Sequence, residues 1–257
     1  MTDRVIGVIP ARFAATRFPG KPLALIAGKP MIQHVWERAR SASHLDDVIV
    51  ATDDARIVDA VQGFGGKAVM TDPSHRSGTD RIAEVARQVE GQVFLNIQGD
   101  EPLVHPEPLD AIAQFLLAHR GVPMATVMTP ITRIEDIASP HVVKVVCDQD
   151  DYALYFSRAP IPAIRDAATT PQAALSAEVY WKHLGLYGYQ RDFLLRFPHL
   201  PPTPLEQLEQ LEQLRALQQG FRIKVLPTPH DTVAVDTPED VAKVERAMAQ
   251  LDAVAKR

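Results

Sequence analysis

The sequence predicts an α/β fold: a mostly parallel sheet with helices on both faces, three layers in all, plus a smaller strand-rich subdomain. Through the first half of the 257-residue chain, short apolar runs alternate with segments of helical period, the pattern of strands joined by crossover helices. From about 124 to 190 the strand-like runs follow one another without a long helix between them, which implies antiparallel pairing. Hydrophobic residues make up 46% of the chain and charged residues 23%, a globular mixture able to bury one large core. The expectation is a single domain over 1–257 whose strand-rich part lies around 124–190.

Residues 4–10 make the first strand, an apolar run that ends at Pro10-Ala-Arg12. The loop behind it carries Arg12, Arg17 and Lys21 and is shaped by Pro19, Gly20 and Pro22. Small residues let a backbone approach a ligand closely, and the cations suit a polyphosphate; a solvated surface loop is the other reading. The G-x-x-x-x-G-K-[ST] spacing of an ATPase phosphate loop is absent. A helix is expected over 30–42, with Pro30 suited to its first position and Ile32, Val35, Trp36 and Ala39 on one face. Strands at 47–52, 67–71 and 92–97 then alternate with helices at 54–64 and 79–90. Gly63-Phe-Gly-Gly66 closes a helix instead of following the first strand, so a dehydrogenase-type dinucleotide loop is excluded.

Strands follow at 124–130, 141–147, 151–156 and 184–189, with a proline-bearing loop over 157–175. Leucines then recur every third residue from Leu205. At about 100° per residue they drift around an α-helix, so a helix over 204–219 is expected to be buried on several sides and is no coiled-coil seam. A strand near 221–227 leads to a last helix from Pro238, capped by Asp236 or Thr237.

The formal net charge of −5 argues against a general nucleic-acid or anionic-membrane surface. Positive charge for an anionic ligand must therefore be local, as it is in the first loop. The single cysteine, Cys147, lies in an apolar run and reads as a small core residue. No apolar stretch reaches membrane-spanning length and no secretory apolar core follows the N-terminus, so a cytoplasmic location is expected.

Two acidic segments stand where apolar runs end. Asp100 in Gly99-Asp-Glu-Pro102 closes the strand at 92–97 and is either a turn residue or a Mg²⁺ ligand beside phosphates. Asp236 follows the short apolar run at 233–235 and is either a metal ligand or a helix cap.

Taken together, the segments stop being independent. Ile9-Pro-Ala-Arg12, Thr16-Arg-Phe-Pro-Gly-Lys-Pro22, Gly28-Lys-Pro-Met-Ile32, Val50-Ala-Thr-Asp53 and His75-Arg-Ser-Gly-Thr-Asp-Arg81 are followed by Asn96-Ile-Gln-Gly-Asp-Glu-Pro102, Val143-Lys-Val-Val146 and Tyr152-Ala-Leu-Tyr-Phe-Ser-Arg158. His183-Leu-Gly-Leu-Tyr-Gly-Tyr189, Leu211-Glu-Gln-Leu-Arg215 and Val235-Asp-Thr-Pro-Glu-Asp240 complete the set. From end to end the chain resembles the 3-deoxy-manno-octulosonate (Kdo) cytidylyltransferases. The first loop and Gly-Asp-Glu-Pro are shared with cytidylyltransferases for other acidic sugars. His-Leu-Gly-Leu-Tyr-Gly-Tyr and Leu-Glu-Gln-Leu-Arg are much more specific.

The resemblance implies a nucleotidyltransferase-like variant of the Rossmann fold and a reaction. CTP and Kdo, an eight-carbon acidic sugar, give CMP-Kdo and pyrophosphate for lipopolysaccharide synthesis. It gives Arg12 and Lys21 the triphosphate, Asp100 and Asp236 the Mg²⁺, and Ser77 and Gly78 the cytosine and ribose. It gives Gln98, Arg158, His183, Tyr187, Glu212 and Gln213 the sugar. It also implies a homodimer, with the strand-rich subregion serving sugar binding and dimerisation. Read without it, Tyr187 could be half-buried in a strand and His183 a satisfied core histidine. Glu212 and Gln213 are not distinguished by the repeat itself from Glu206, Gln207, Glu209 and Gln210.

Arg76 and Asp80 stand where relatives commonly have a polar residue and a glutamate. Ala234-Val235 are bulkier than the glycine often found ahead of the second aspartate. Two other functions stay open: a cytidylyltransferase for another acidic sugar, such as an 8-amino Kdo analogue or sialic acid, and a non-catalytic CTP-binding module.

Overall fold

The computed structural model describes residues 3–14, 18–165 and 170–255. Arg17, and part of the 157–175 loop, lie outside them. The first half builds β1 (Val5–Ala11), a short hairpin of β2 (Leu25–Ile26) and β3 (Lys29–Pro30), α1 (Met31–Arg40), β4 (Asp47–Thr52), α2 (Ala55–Gly63), β5 (Lys67–Met70), α3 (Gly78–Gln88) and β6 (Val93–Asn96). Then come α4 (Pro106–Ala118), β7 (Met124–Pro130), α5 (Ile134–Ala138), β8 (Lys144–Cys147), β9 (Ala153–Ser157), α6 (Pro171–Ser176) and β10 (Trp181–Gln190). The chain closes with α7 (Arg191–Arg196), α8 (Pro204–Glu209), α9 (Gln213–Gln218), β11 (Ile223–Pro227) and α10 (Pro238–Ala255).

The main sheet has the order β11-β7-β10-β6-β1-β4-β5. Its strands are parallel except β10, which runs against both neighbours. The expected α/β class and the antiparallel pairing of the middle segment are both present. β7 and β10 are members of the main sheet itself, while β8 and β9 form a ribbon that joins it through Trp181 and Lys182 at the start of β10.

Alternation along β1 explains the three layers. Val5 and Ile9 belong to a core with Ile32 and Val35 of α1, Ile57 of α2 and Ile112 of α4. Ile6 and Val8 face the other core, with Ile82 and Val85 of α3, Phe193 of α7 and Leu214 of α9. Side chains of opposite parity in a strand point to opposite faces, so a run apolar at nearly every position must be covered twice.

α4 is a helix that the sequence reading does not contain. Its opening Pro106-Glu-Pro108 resembles a turn, yet Pro106 stands in the first helical turn, where its missing N–H costs nothing, and Leu109, Ile112, Ala113 and Leu116 are buried.

The leucine repeat departs from expectation. Instead of one helix over 204–219 there are two, α8 and α9, broken at Gln210, whose φ of 53° is left-handed. No single face of an α-helix can bury leucines spaced by three. The break resolves this: Leu211 and Leu214 go into the core while Leu208 stays 81% exposed.

The last helix starts as expected at Pro238, directly after Thr237, and Asp240 in its first turn accepts from the N–H groups of Asp236 and Thr237. Cys147 is half-buried, and burial first, then the nearby Asp151 and Asp148, push its thiol up to about 11, in keeping with a packing role.

Candidate active site

Three loops meet at the carboxyl ends of β1 and β6, where ligands gather on parallel sheets. Their close approach depends on glycine: a Cβ on Gly99 would lie 2.8 Å from the Pro10 carbonyl oxygen, and one on Gly78 would lie 3.3 Å from Pro10 Cγ. Packed this tightly, the loop after β1, the Gly99-Asp100 turn and the start of α3 form one surface.

Lys21 is the hub of that surface. Its Nζ donates to Asp100 Oδ2 at 2.7 Å and to the Val235 carbonyl at 2.9 Å, and lies 4.0 Å from Asp236 Oδ1. The Val235 N–H in turn donates to the Asp100 carbonyl at 2.9 Å. Two aspartates 136 positions apart in the chain therefore converge on one cation. Val235 is fully buried against Ile26, Met31, Leu103 and Val244, so its bulk is absorbed by the core and Asp236 still reaches the hub. A pair of carboxylates offers only hard oxygen donors, the set that suits Mg²⁺, and the ammonium between them marks a point where positive charge is already stabilised.

Arg12 Nη2 donates to the His75 carbonyl at 2.5 Å, which ties the first loop to the segment leading into α3. Ser77 caps that helix: its hydroxyl accepts from the Asp80 N–H at 3.1 Å, and Asp80 Oδ2 accepts from the Ser77 N–H at 3.1 Å. Asp80 thus completes a capping box, which a carboxylate at this position is able to do. Glu212 arrives here too, accepting from Thr79 Oγ1 at 2.5 Å, and burial raises its carboxyl above the usual range. Ser77, Gly78 and Glu212 form one group at the start of α3.

A cleft of about 450 Å³ opens beside Asp100 and is lined by Gln98, His183, Tyr187 and Gln213, among others. Gln98 Nε2 donates to the Gly185 carbonyl at 2.6 Å. Gly185 lies within the irregularity where the β10–β7 register shifts between Leu184 and Tyr187; such bulges re-aim side chains. Gln213 is buried, and among the described residues its Nε2 has no hydrogen-bond partner, a donor that a ligand in the cleft could satisfy.

Arg158 is placed differently. Its guanidinium donates to the carbonyls of Glu209 (2.7 Å), Pro140 (2.8 Å) and Gln210 (3.4 Å), which fixes the break between α8 and α9 that delivers Leu211 and Gln213 to the cleft. Neither it nor Glu212, both expected at the sugar, is among the residues that line the cleft.

Two charged residues of the cleft were not singled out by the sequence. Lys182 lines it and donates to Asp231 at 2.7 Å. Glu101 lines it beside Asp100, and burial, then the Asp100 charge, push its carboxyl up to about 7. Both adjoin assigned residues, but adjacency in sequence carries no sign of which neighbour faces inward.

His183 is buried, with Nε2 2.9 Å from Thr126 Oγ1 and the Phe156 ring edge-on at 4.8 Å. Burial lowers its pKa to about 3. The unfolded chain takes up this proton near 6.5 and the native fold does not, so stability falls as pH drops from 6.5 toward 3, by about 1.4 kcal/mol per unit. His183→Asn should remove this contribution, so urea unfolding between pH 7 and pH 5 should lose about 2 kcal/mol less stability than wild type. An unchanged pH slope would count against a buried neutral imidazole.

The chain matches the Cytidylyltransferase family model over residues 6–224. It is 51% identical over 243 residues to a 3-deoxy-manno-octulosonate cytidylyltransferase of Geobacter sulfurreducens, covering 93% of this chain and 97% of that one. To the protein of the same name from Syntrophobacter fumaroxidans it is 53% identical over 254 residues, covering 98% and 99%. Among solved structures, a CMP:2-keto-3-deoxy-manno-octonic acid synthetase complexed with CTP superposes with a TM-score of 0.89 at 44% identity, covering 96% of this chain and 99% of that one.

Proposed function

The chain belongs to the 3-deoxy-manno-octulosonate cytidylyltransferases, and from that premise we propose that it transfers the cytidylyl group of CTP to Kdo, giving CMP-Kdo and pyrophosphate. The oxygen of the sugar's anomeric hydroxyl forms the new bond to the α-phosphorus, the bond from that phosphorus to the bridging oxygen breaks, pyrophosphate leaves and the hydroxyl proton passes to solvent. One observation carries the reading: Lys21 draws Asp100 and Asp236 together at the mouth of the cleft lined by Gln98, His183, Tyr187 and Gln213.

Little covalent chemistry is asked of the protein, so positioning and charge do the work. Arg12 and Lys21 hold the triphosphate and offset the charge that grows on the leaving pyrophosphate. The capped start of α3, with Ser77 and Gly78, takes the cytidine; its N–H groups and Glu212 provide donors and acceptors there. Gln98, Tyr187 and Gln213 receive the hydroxyls of the sugar. Lys182 is the cation on the cleft wall for the sugar carboxylate, while Arg158 shapes that wall from behind. His183, neutral and tied to Thr126, orients Tyr187 (ring centroids 5.3 Å apart) and is no proton acceptor at neutral pH.

Mg²⁺ is the proposed cofactor, held by Asp100 and Asp236; when bound it would acidify the sugar hydroxyl and neutralise the α-phosphate. By the same resemblance we propose a homodimer and a role in lipopolysaccharide synthesis. Among the described residues no helix is long and apolar enough to cross a membrane, which accords with the proposed cytoplasmic location.

The test is pyrophosphate release with CTP and Mg²⁺, comparing Kdo, its 8-amino analogue and sialic acid. The expected result is release with Kdo, abolished by a chelator. Preference for another acid would retain the phosphate and metal roles and overturn the sugar assignment; no release with any acid would leave a CTP-binding module.

A further inference from the structure

His105, Glu107 and His230 form a second cluster, drawn from the segments that adjoin Asp100 and Asp236 in the chain. His105 Nδ1 lies 3.9 Å from Glu107 Oε2, and His230 Nε2 lies 3.8 Å from the same oxygen. The two imidazoles stack with centroids 4.3 Å apart at 21°. One ligand atom from each of the three residues falls within 4.8 Å of the others. Both rings therefore bring a nitrogen within 4 Å of one carboxylate oxygen, from segments 125 positions apart in the chain.

From this convergence we propose a transition-metal site, with His105, Glu107 and His230 binding Zn²⁺ or a similar borderline divalent ion. Two imidazoles and a carboxylate are a donor set that favours Zn²⁺, Co²⁺ or Ni²⁺ over Mg²⁺. Bonds of about 2.0–2.1 Å set ligand atoms roughly 3.3 Å apart in a tetrahedral shell, so binding draws the three groups inward from their present spacing of up to 4.8 Å and turns the two rings out of their stack. None of the three residues lines the sugar cleft, and the chemistry there uses none of them.

The position gives the site a consequence. His105 and Glu107 follow the segment that carries Asp100; His230 precedes the one that carries Asp236. At present the Val235–Asp100 backbone bond and Lys21 join these segments. An ion bound at the cluster clips them together a second time, so it stabilises the fold without entering the reaction.

The experiment uses the full chain stripped of metal, with Zn²⁺ as the probe in isothermal titration, followed by thermal melts with and without Zn²⁺. Wild type should bind one Zn²⁺ with micromolar or tighter affinity and melt at a higher temperature when loaded. His105→Gln and His230→Gln should each weaken binding at least tenfold and remove the thermal shift, while Asp100→Asn should keep both. The metal-free melts of the two histidine variants report whether they fold. Absence of micromolar binding in wild type, equal binding in the histidine variants, or loss of binding in Asp100→Asn would overturn the proposal, the last by moving the ion to the catalytic aspartates.

Discussion

Asp100→Asn is expected to lower the turnover of CTP and Kdo by about 10²–10³-fold while leaving the fold intact. The carboxylate is only part-buried, at 31% side-chain exposure. The backbone tie from its loop to Val235 uses the Asp100 carbonyl, which the substitution keeps. Asparagine still offers an oxygen to Lys21 Nζ but brings no charge, so what is lost is the hard anionic donor opposite Asp236. A metal clamp is worth several kcal/mol to a developing phosphoryl charge, and each 1.36 kcal/mol is tenfold in rate. Steady-state pyrophosphate release and a thermal melt check the two halves together. The melt should move by no more than about 2 °C, as for a substitution of a partly exposed group. Asp236→Asn should show a similar loss, and the double variant little more than either single one, because groups that act as a unit are not additive. Normal turnover in Asp100→Asn would remove the metal assignment altogether.

That Asp100 and Asp236 meet was legible only through resemblance. In the sequence alone each has an adequate local explanation, a turn for one and a helix cap for the other, and nothing local says that Lys21 will draw them together. The strands were easier, because runs such as 47–52 are apolar at almost every position and only burial on both faces allows that. The glutamates of the leucine repeat show the limit most clearly. Glu206, Glu209 and Glu212 have nearly the same neighbours in sequence, yet Glu206 pairs with Arg215, Glu209 accepts from Ser157 Oγ and the Arg158 N–H, and Glu212 accepts from Thr79. The left-handed residue at Gln210 separates these fates. Such a conformation is favoured by glycine, so a glutamine there gave no warning. Lys144 is similar: its motif was visible, but its burial with Nζ on the carbonyls of Ser139, Val142 and Arg158 depends on three segments closing around it.

The largest expected effect on stability comes from a motif whose purpose was equally hidden. Arg81 is fully buried in α3, and its Nη2 donates to Asp53 Oδ2 at 2.8 Å while Nη1 donates to Thr71 Oγ1. Asp53 stands just past β4, so the pair locks α3 onto the sheet directly below the capped start that carries Ser77 and Gly78. Asp53→Asn would leave the guanidinium in place without its counter-charge, and removing one partner of a buried pair costs about 3–5 kcal/mol. For a chain of this size that is a fall in melting temperature of roughly 10 °C, measurable by calorimetry together with the urea midpoint. A fall of less than about 2 °C would mean that the pair is solvent-compensated. The double variant Asp53→Leu with Arg81→Met separates charge from shape, since an apolar pair of similar volume needs no counter-charge and should be more stable than Asp53→Asn alone. Because the lock sits under the proposed cytidine site, Asp53→Asn should also raise the KM for CTP more than that for Kdo. Equal changes in both would place the effect in global stability, leaving α3 no specific part in holding the nucleotide.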